Sequence, residues 1–139
     1  MNFILSGHGK IACEMKNSIE MIAGIYPNLY TVTFEPGDSI EKLQDKYLQI
    51  INQSKNQPFI IITDIFSGSP YNAATILAMQ LSNIEVISGL SLPLCLELLN
   101  LDFSLFNIEN AFEQLNDVKM DFIKSYKSLS KHVSTEEEL

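Results

Sequence analysis

Arginine is absent from the 139 residues, and all nine basic side chains are lysines. Proteins that grip nucleic acid present a basic face and rely on arginine for base and phosphate contacts. Here 17 acidic residues give a net charge of −8, which argues against that class. The acid excess reads as a solvated surface, or as a match for a basic partner protein. Cysteine is almost as scarce. Cys13 and Cys95 are too few and too far apart for a disulfide framework or a metal cluster. Each lies among apolar neighbours, so both are expected as buried, reduced thiols. Long apolar runs are missing too: none approaches the roughly 20 residues that span a bilayer. The opening "MNFILSGHGK" lacks the basic start and long apolar stretch of a signal peptide. A cytoplasmic protein is expected. With no repeat, linker or low-complexity segment, it reads as one domain over residues 1–130, followed by an acidic tail over 131–139.

What is present is apolar material in two periodicities. Phe3–Leu5 is a short strand-like run ending in Ser6-Gly7. From Lys10 the period lengthens: Ile11, Met15, Ile19 and Ile22 mark a helix that Gly24 can close. "LYTVTF" (29–34) is β-branched and aromatic, hence a second strand. After "EPGD", Asp38 and Glu41 resemble a capping box for a helix with Ile40, Leu43, Tyr47, Ile50 and Ile51 on one face. "PFIIIT" (58–63) has the unbroken apolar character of a central parallel strand. Ser69 can cap the next helix, with Pro70 at its first position and Ala73, Ala74 and Leu77 behind. "IEVIS" (84–88) is a fourth strand and "LPLCLELL" (92–99) a short helix. Ile108, Phe112, Leu115, Val118, Phe122, Tyr126 and Leu129 predict a long amphipathic helix over 108–129.

Strand–helix alternation of this kind predicts an α/β domain, doubly wound, with a mainly parallel four-stranded sheet in the order 2-1-3-4 and helices on both faces. That order opens a crevice between the carboxyl ends of strands 1 and 3, where such sheets bind their ligands. Gly7-His8-Gly9 follows strand 1 and Asp64 follows strand 3. A carboxylate beside an imidazole fixes its tautomer, stabilises positive charge on the ring and leaves the other nitrogen free to react. Alone, a histidine at a strand end is more often a satisfied polar residue, and an aspartate there a turn former. Their joint placement at the switch point favours a site.

Several chemistries compete for such a pair. A Ser-His-Asp hydrolase could draw on Ser6, Ser67 or Ser69, but no G-x-S-x-G elbow follows a strand. The Ser69 hydroxyl is expected to be committed as a helix cap. One histidine and one aspartate do not hold zinc, so no metal or cofactor is implied. "GHGKIA" is neither a P-loop nor a dinucleotide fingerprint. A receiver-like domain phosphorylated on Asp64 would need an acidic pair after strand 1, where glycine and histidine stand instead. A nucleophilic histidine remains, with helix N-termini near Lys10 and at Ser69-Pro70 offering amides to phosphate oxygens. Without arginine, phosphate would be held lightly, which suits a carrier.

"SGHGKIA" after strand 1 and "TDIFSGSPYNAA" after strand 3 closely resemble the IIA component of the mannose/fructose/sorbose family of the phosphoenolpyruvate-dependent sugar phosphotransferase system. "FEPGDS" and "VISGLSLPLCLELL" extend the resemblance over roughly residues 1–100. It implies that His8 accepts a phosphoryl group from the carrier HPr and passes it to a IIB component, which serves the membrane subunits IIC and IID. It assigns Asp64 to orienting the histidine and stabilising its positive charge, and Gly68, Ser69 and Pro70 to the loop beside the phosphate; Gly9, next to His8, is expected at the phosphate as well. It also implies a homodimer, with a fifth, antiparallel strand exchanged near residues 128–134. Two departures stand out: Ser67 where many members carry glycine, and Tyr71 for the usual phenylalanine. Phe66 and Tyr71 could be partner contacts or ordinary packing. Lys10 and His132 read as solvated. A carrier for a dihydroxyacetone-kinase system and a phosphorylation-responsive regulatory module are the alternatives.

Overall fold

The computed structural model describes residues 1–105, 107–115 and 122–131. Strand β1 (Asn2–His8) leads into helix α1 (Ile11–Ala23), then β2 (Leu29–Phe34) and α2 (Ile40–Ile51). Strand β3 (Phe59–Thr63), helix α3 (Ser69–Gln80), β4 (Ile84–Ser88) and α4 (Leu92–Asn100) follow. The sheet is parallel throughout with the order β2-β1-β3-β4, as expected.

Both faces of that sheet are covered, which explains the continuous apolar run of β3. Ile60 and Ile62 pack with Ala12 and Ile19 of α1 and with Leu94, Cys95 and Leu98 of α4. Phe59 and Ile61 point the other way, onto Leu43, Tyr47 and Ile51 of α2 and Ala73, Ala74 and Leu77 of α3. Each fully buried aliphatic side chain stabilises the fold by about 1.5–3 kcal/mol. Both cysteines are free thiols; Cys95 is buried, which pushes its thiol up to about 12, while Cys13 is only half-buried.

Four local expectations change. In α1 the buried positions are Ala12 and Ile19, whereas Ile11 and Ile22 lie exposed, because the small Ala12 is what fits against the sheet. The cap of α2 is Ser39, whose hydroxyl accepts from the Lys42 amide at 3.1 Å; Asp38 is drawn away by Lys46 and the Glu35 amide. Helix α3 is capped by Gly68 with no side-chain bond, so Ser69 and Pro70 are its first two residues.

The continuous helix over 108–129 does not form. The Asn107 side chain accepts from the Asn110 amide, and turns lead into a 3-10 segment at Phe112–Leu115. Helices in proteins depend on packing an apolar face, and among the described residues of this stretch only Ala111 and Leu115 reach the core, Val118 lying outside them. Phe112, Phe122, Tyr126 and Leu129 are exposed. Residues 126–131 are helical, so a strand is not found at 128–131; 132–134, with His132 and the acidic tail, lie outside the described residues. Among the described residues the sheet has four strands.

Candidate functional site

Strand β1 runs further than its apolar run suggests. It stays paired with β2 as far as His8 opposite Phe34, so His8 is the last residue of the strand. The Gly9 amide then donates to the Phe34 carbonyl at 2.8 Å, and Gly9 adopts φ +59°, which turns the chain sharply into α1. On the neighbouring strand Ser6 pairs with Thr63, which brings Asp64 level with Gly7. A Cβ on Gly7 would lie 2.5 Å from Ile11 Cγ2 and 3.0 Å from Asp64 Cγ. Glycine is required at 7 so that Ile11 and the Asp64 carboxylate can lie against β1.

The two residues of the crevice meet directly. His8 Nδ1 lies 2.7 Å from Asp64 Oδ2, and the same oxygen accepts from the His8 backbone amide at 2.9 Å. Oδ1 accepts from the Ile65 amide at 2.9 Å. Partial burial alone would raise the Asp64 carboxyl. The bonds from His8 and Ile65 outweigh that and hold it below its ordinary value. An ionised carboxylate can only accept, so Nδ1 carries a proton, and in the neutral ring the lone pair is then on Nε2. The His8 side chain is 50 % exposed while that of Asp64 is 10 % exposed. The ring edge is steadied by Phe34, 5.2 Å away between centroids and nearly perpendicular. The result is an imidazole held in one orientation and half exposed to solvent.

Beyond Asp64 the chain turns through Ser67, at φ +62°, into the start of α3. A Cβ on Gly68 would lie 3.5 Å from His8 Cε1, so this helix start adjoins the ring. The Ser69 and Tyr71 amides have no carbonyl partner among the described residues, and Pro70 has no amide. Two donors at the positive end of a helix are suited to an anion. The Ser69 hydroxyl, expected to be committed as a cap, makes no hydrogen bond among the described residues. Gly9, by contrast, has already committed its amide to Phe34. Gly9 therefore shapes the turn and leaves open space beside His8 without donating. Among the described residues no three ligating side chains converge on a metal-sized site.

These groups carry a recognisable signature. The family described as "PTS system fructose IIA component" matches residues 2–115. A sorbose-specific EIIA component of Lacticaseibacillus casei is 39% identical over 97 residues, 70% of each chain. The chain belongs to the mannose-type IIA family. A fructose-specific EIIA component of Bacillus subtilis is 33% identical over 96% of this chain and 89% of its own length. The solved mannose/sorbose specific IIA subunit from Enterococcus faecalis has the same fold, with a TM-score of 0.81 at 23% identity over 89% of this chain and 92% of that one. As a IIA component of the sugar phosphotransferase system, this protein is a phosphotransferase of a family that carries phosphohistidine and works with HPr and IIB. Among its described residues no helix is long and apolar enough to cross a membrane.

Of the other residues singled out in this IIA chain, Phe66 is 71% exposed and tilts against the half-buried Tyr71, 5.0 Å between centroids. Lys10 is exposed. Two residues at the site carried no signal in the sequence. Phe34 looked like any strand aromatic, and Tyr47 like one more apolar position on a helical face. Only the pairing of strands and helices gives them their neighbours.

Proposed function

We propose that His8 is the phosphoryl acceptor, taking the group from the phosphohistidine of HPr and passing it to a IIB component in the cytoplasm. The observation that carries this reading is the double hold of Asp64 on His8, through Nδ1 and through the backbone amide. With Nδ1 protonated, the Nε2 lone pair attacks phosphorus. The P–N bond of the donor breaks, and its electron pair returns to the donor imidazole. The positive charge left on the His8 ring faces the Asp64 carboxylate, and the Ser69 and Tyr71 amides are placed to meet the phosphoryl oxygens. The same steps run backwards onto IIB, which serves the membrane subunits IIC and IID. The half-exposed ring suits serial docking of two proteins. Working as a homodimer belongs to the same reading.

The test is phosphorylation of the purified chain with phosphoenolpyruvate, enzyme I and HPr. An acid-labile phosphoryl group on His8 is expected, absent from His8→Ala. Asp64→Ala keeps the nucleophile and loses its orientation, so labelling should be slowed by about 10–100-fold rather than abolished. An unlabelled wild-type chain, or a His8→Ala variant that labels equally well, defeats the proposal.

A further inference from the structure

The hydroxyl of Tyr47 lies in the fully buried middle of α2, 2.8 Å from Ser6 Oγ and 3.0 Å from the Pro70 carbonyl oxygen. A carbonyl only accepts, so the Tyr47 O–H donates to Pro70 and Ser6 donates in turn to the tyrosine oxygen. Burial pushes the Tyr47 hydroxyl well above its ordinary value; the Ser6 contact opposes this and the Asp64 charge adds to it. The tyrosine proton therefore stays in place, and the group acts as a fixed donor rather than a proton carrier.

Packing alone gives no reason for these hydroxyls. Phenylalanine at 47 and alanine at 6 would fill nearly the same space without desolvating any polar atom. Replacing both members of a buried hydrogen bond by apolar groups is close to neutral, whereas stranding one costs about 1–3 kcal/mol. Beside Ser6 in the sheet, the Thr63 hydroxyl is also fully buried, with no hydrogen-bond partner among the described residues. Polar atoms thus gather at the level of the core next to the site. What the Ser6–Tyr47–Pro70 chain joins is specific. Ser6 is two residues before His8 on β1, and Pro70 lies between the two unpartnered amides of α3.

We propose that Tyr47 is a positioning residue, whose hydroxyl ties the first turn of α3 to β1 and so sets the separation between His8 Nε2 and the Ser69 and Tyr71 amides. This rests on His8 being the phosphoryl acceptor. Loss of the hydroxyl frees the helix start to drift, and a misplacement of about 1 Å in such a constellation can slow transfer on the order of 100-fold.

The experiment compares wild type with Tyr47→Phe in the full chain, phosphorylated through enzyme I and HPr. Single-turnover rates, the 31P resonance of phosphohistidine and Tm are recorded, the first two well below Tm. Complete labelling, a rate lower on the order of tenfold and a moved 31P resonance are expected. A folded variant with unchanged rate and resonance overturns the inference, even if Tm falls, because a purely structural tyrosine would behave so. Should Tyr47→Phe not fold, Ser6→Ala removes the neighbouring hydroxyl, leaves the ring in place and is read in the same way. A wild-type chain that takes no label overturns the His8 assignment together with this one; a labelled wild type with an unmoved variant overturns this one alone.

Discussion

Ser67 sits in the left-handed region at φ +62°, where a Cβ costs roughly 1–2 kcal/mol. That angle gives a physical reason for the glycine expected there from the family resemblance: the turn from Asp64 into α3 needs it. Ser67→Gly relieves the strain but adds freedom to the unfolded chain, so a net gain of up to about 1 kcal/mol is expected. Thermal unfolding checks this, and a lower Tm for the variant contradicts it. At this scale the meeting of His8 and Asp64 was legible in the sequence, since strand ends and topology suffice to bring them together. The donors expected at the Ser69-Pro70 helix start were legible too, but the state of Gly9 and of the Ser69 hydroxyl was not. That Gly9 spends its amide on Phe34, and that Ser69 leaves its hydroxyl unspent, are facts of pairwise geometry across the sheet. No spacing along the chain encodes them.

Between β2 and α2 the connection is held by one aspartate. Asp38 accepts from the Glu35 amide at 2.9 Å and Lys46 Nζ at 2.7 Å, with Lys42 at 3.3 Å, while Lys46 also donates to the Thr33 carbonyl. The bond from Lys46, then that from Glu35, lowers its carboxyl from 3.8 to about 2. A carboxyl depressed on folding contributes stability that is complete above about pH 4 and is lost as pH falls through about 2. Asp38→Asn should therefore unfold at lower urea than wild type at pH 7, and the two should converge near pH 2. A gap that stays constant across this range would show that the carboxylate charge is not what matters. The turn was visible in "EPGD", but a cap and a clamp use the same residue types, and only Lys46, in the second turn of α2, separates them. The four strands and α1 to α4 were legible because each presents an apolar pattern that is largely buried, although in α1 Ile11 and Ile22 of that pattern are exposed.

For the molecule as a whole, the parallel sheet and its order followed from alternation, and with them the crevice. The C-terminal part did not follow. Its apolar residues keep helical spacing, yet Leu105, Ile123 and Tyr126 are more than 70% exposed. Large apolar side chains this exposed are candidates for covering by another molecule, and periodicity cannot say whether an apolar face is covered by its own core or by another chain. The proposed homodimer accounts for them. Sedimentation at micromolar concentration should give twice 15.7 kDa, shifting towards the monomer in an Ile123→Glu, Tyr126→Glu variant. A wild-type monomer would remove the dimer from the proposal.

The amides of Ser69 and Tyr71 belong to the backbone, and every amino acid except proline supplies the same group at those positions. On the proposed function, a saturation screen for loss of sugar uptake would find His8 and Asp64 at once, while the two amides proposed to hold the anion would stay silent to most changes at 69 and 71. At those two positions only proline could reveal them. Inhibitor chemistry has the complementary access: a ligand that meets those amides binds contacts that few substitutions can take away, and resistance would have to arise elsewhere.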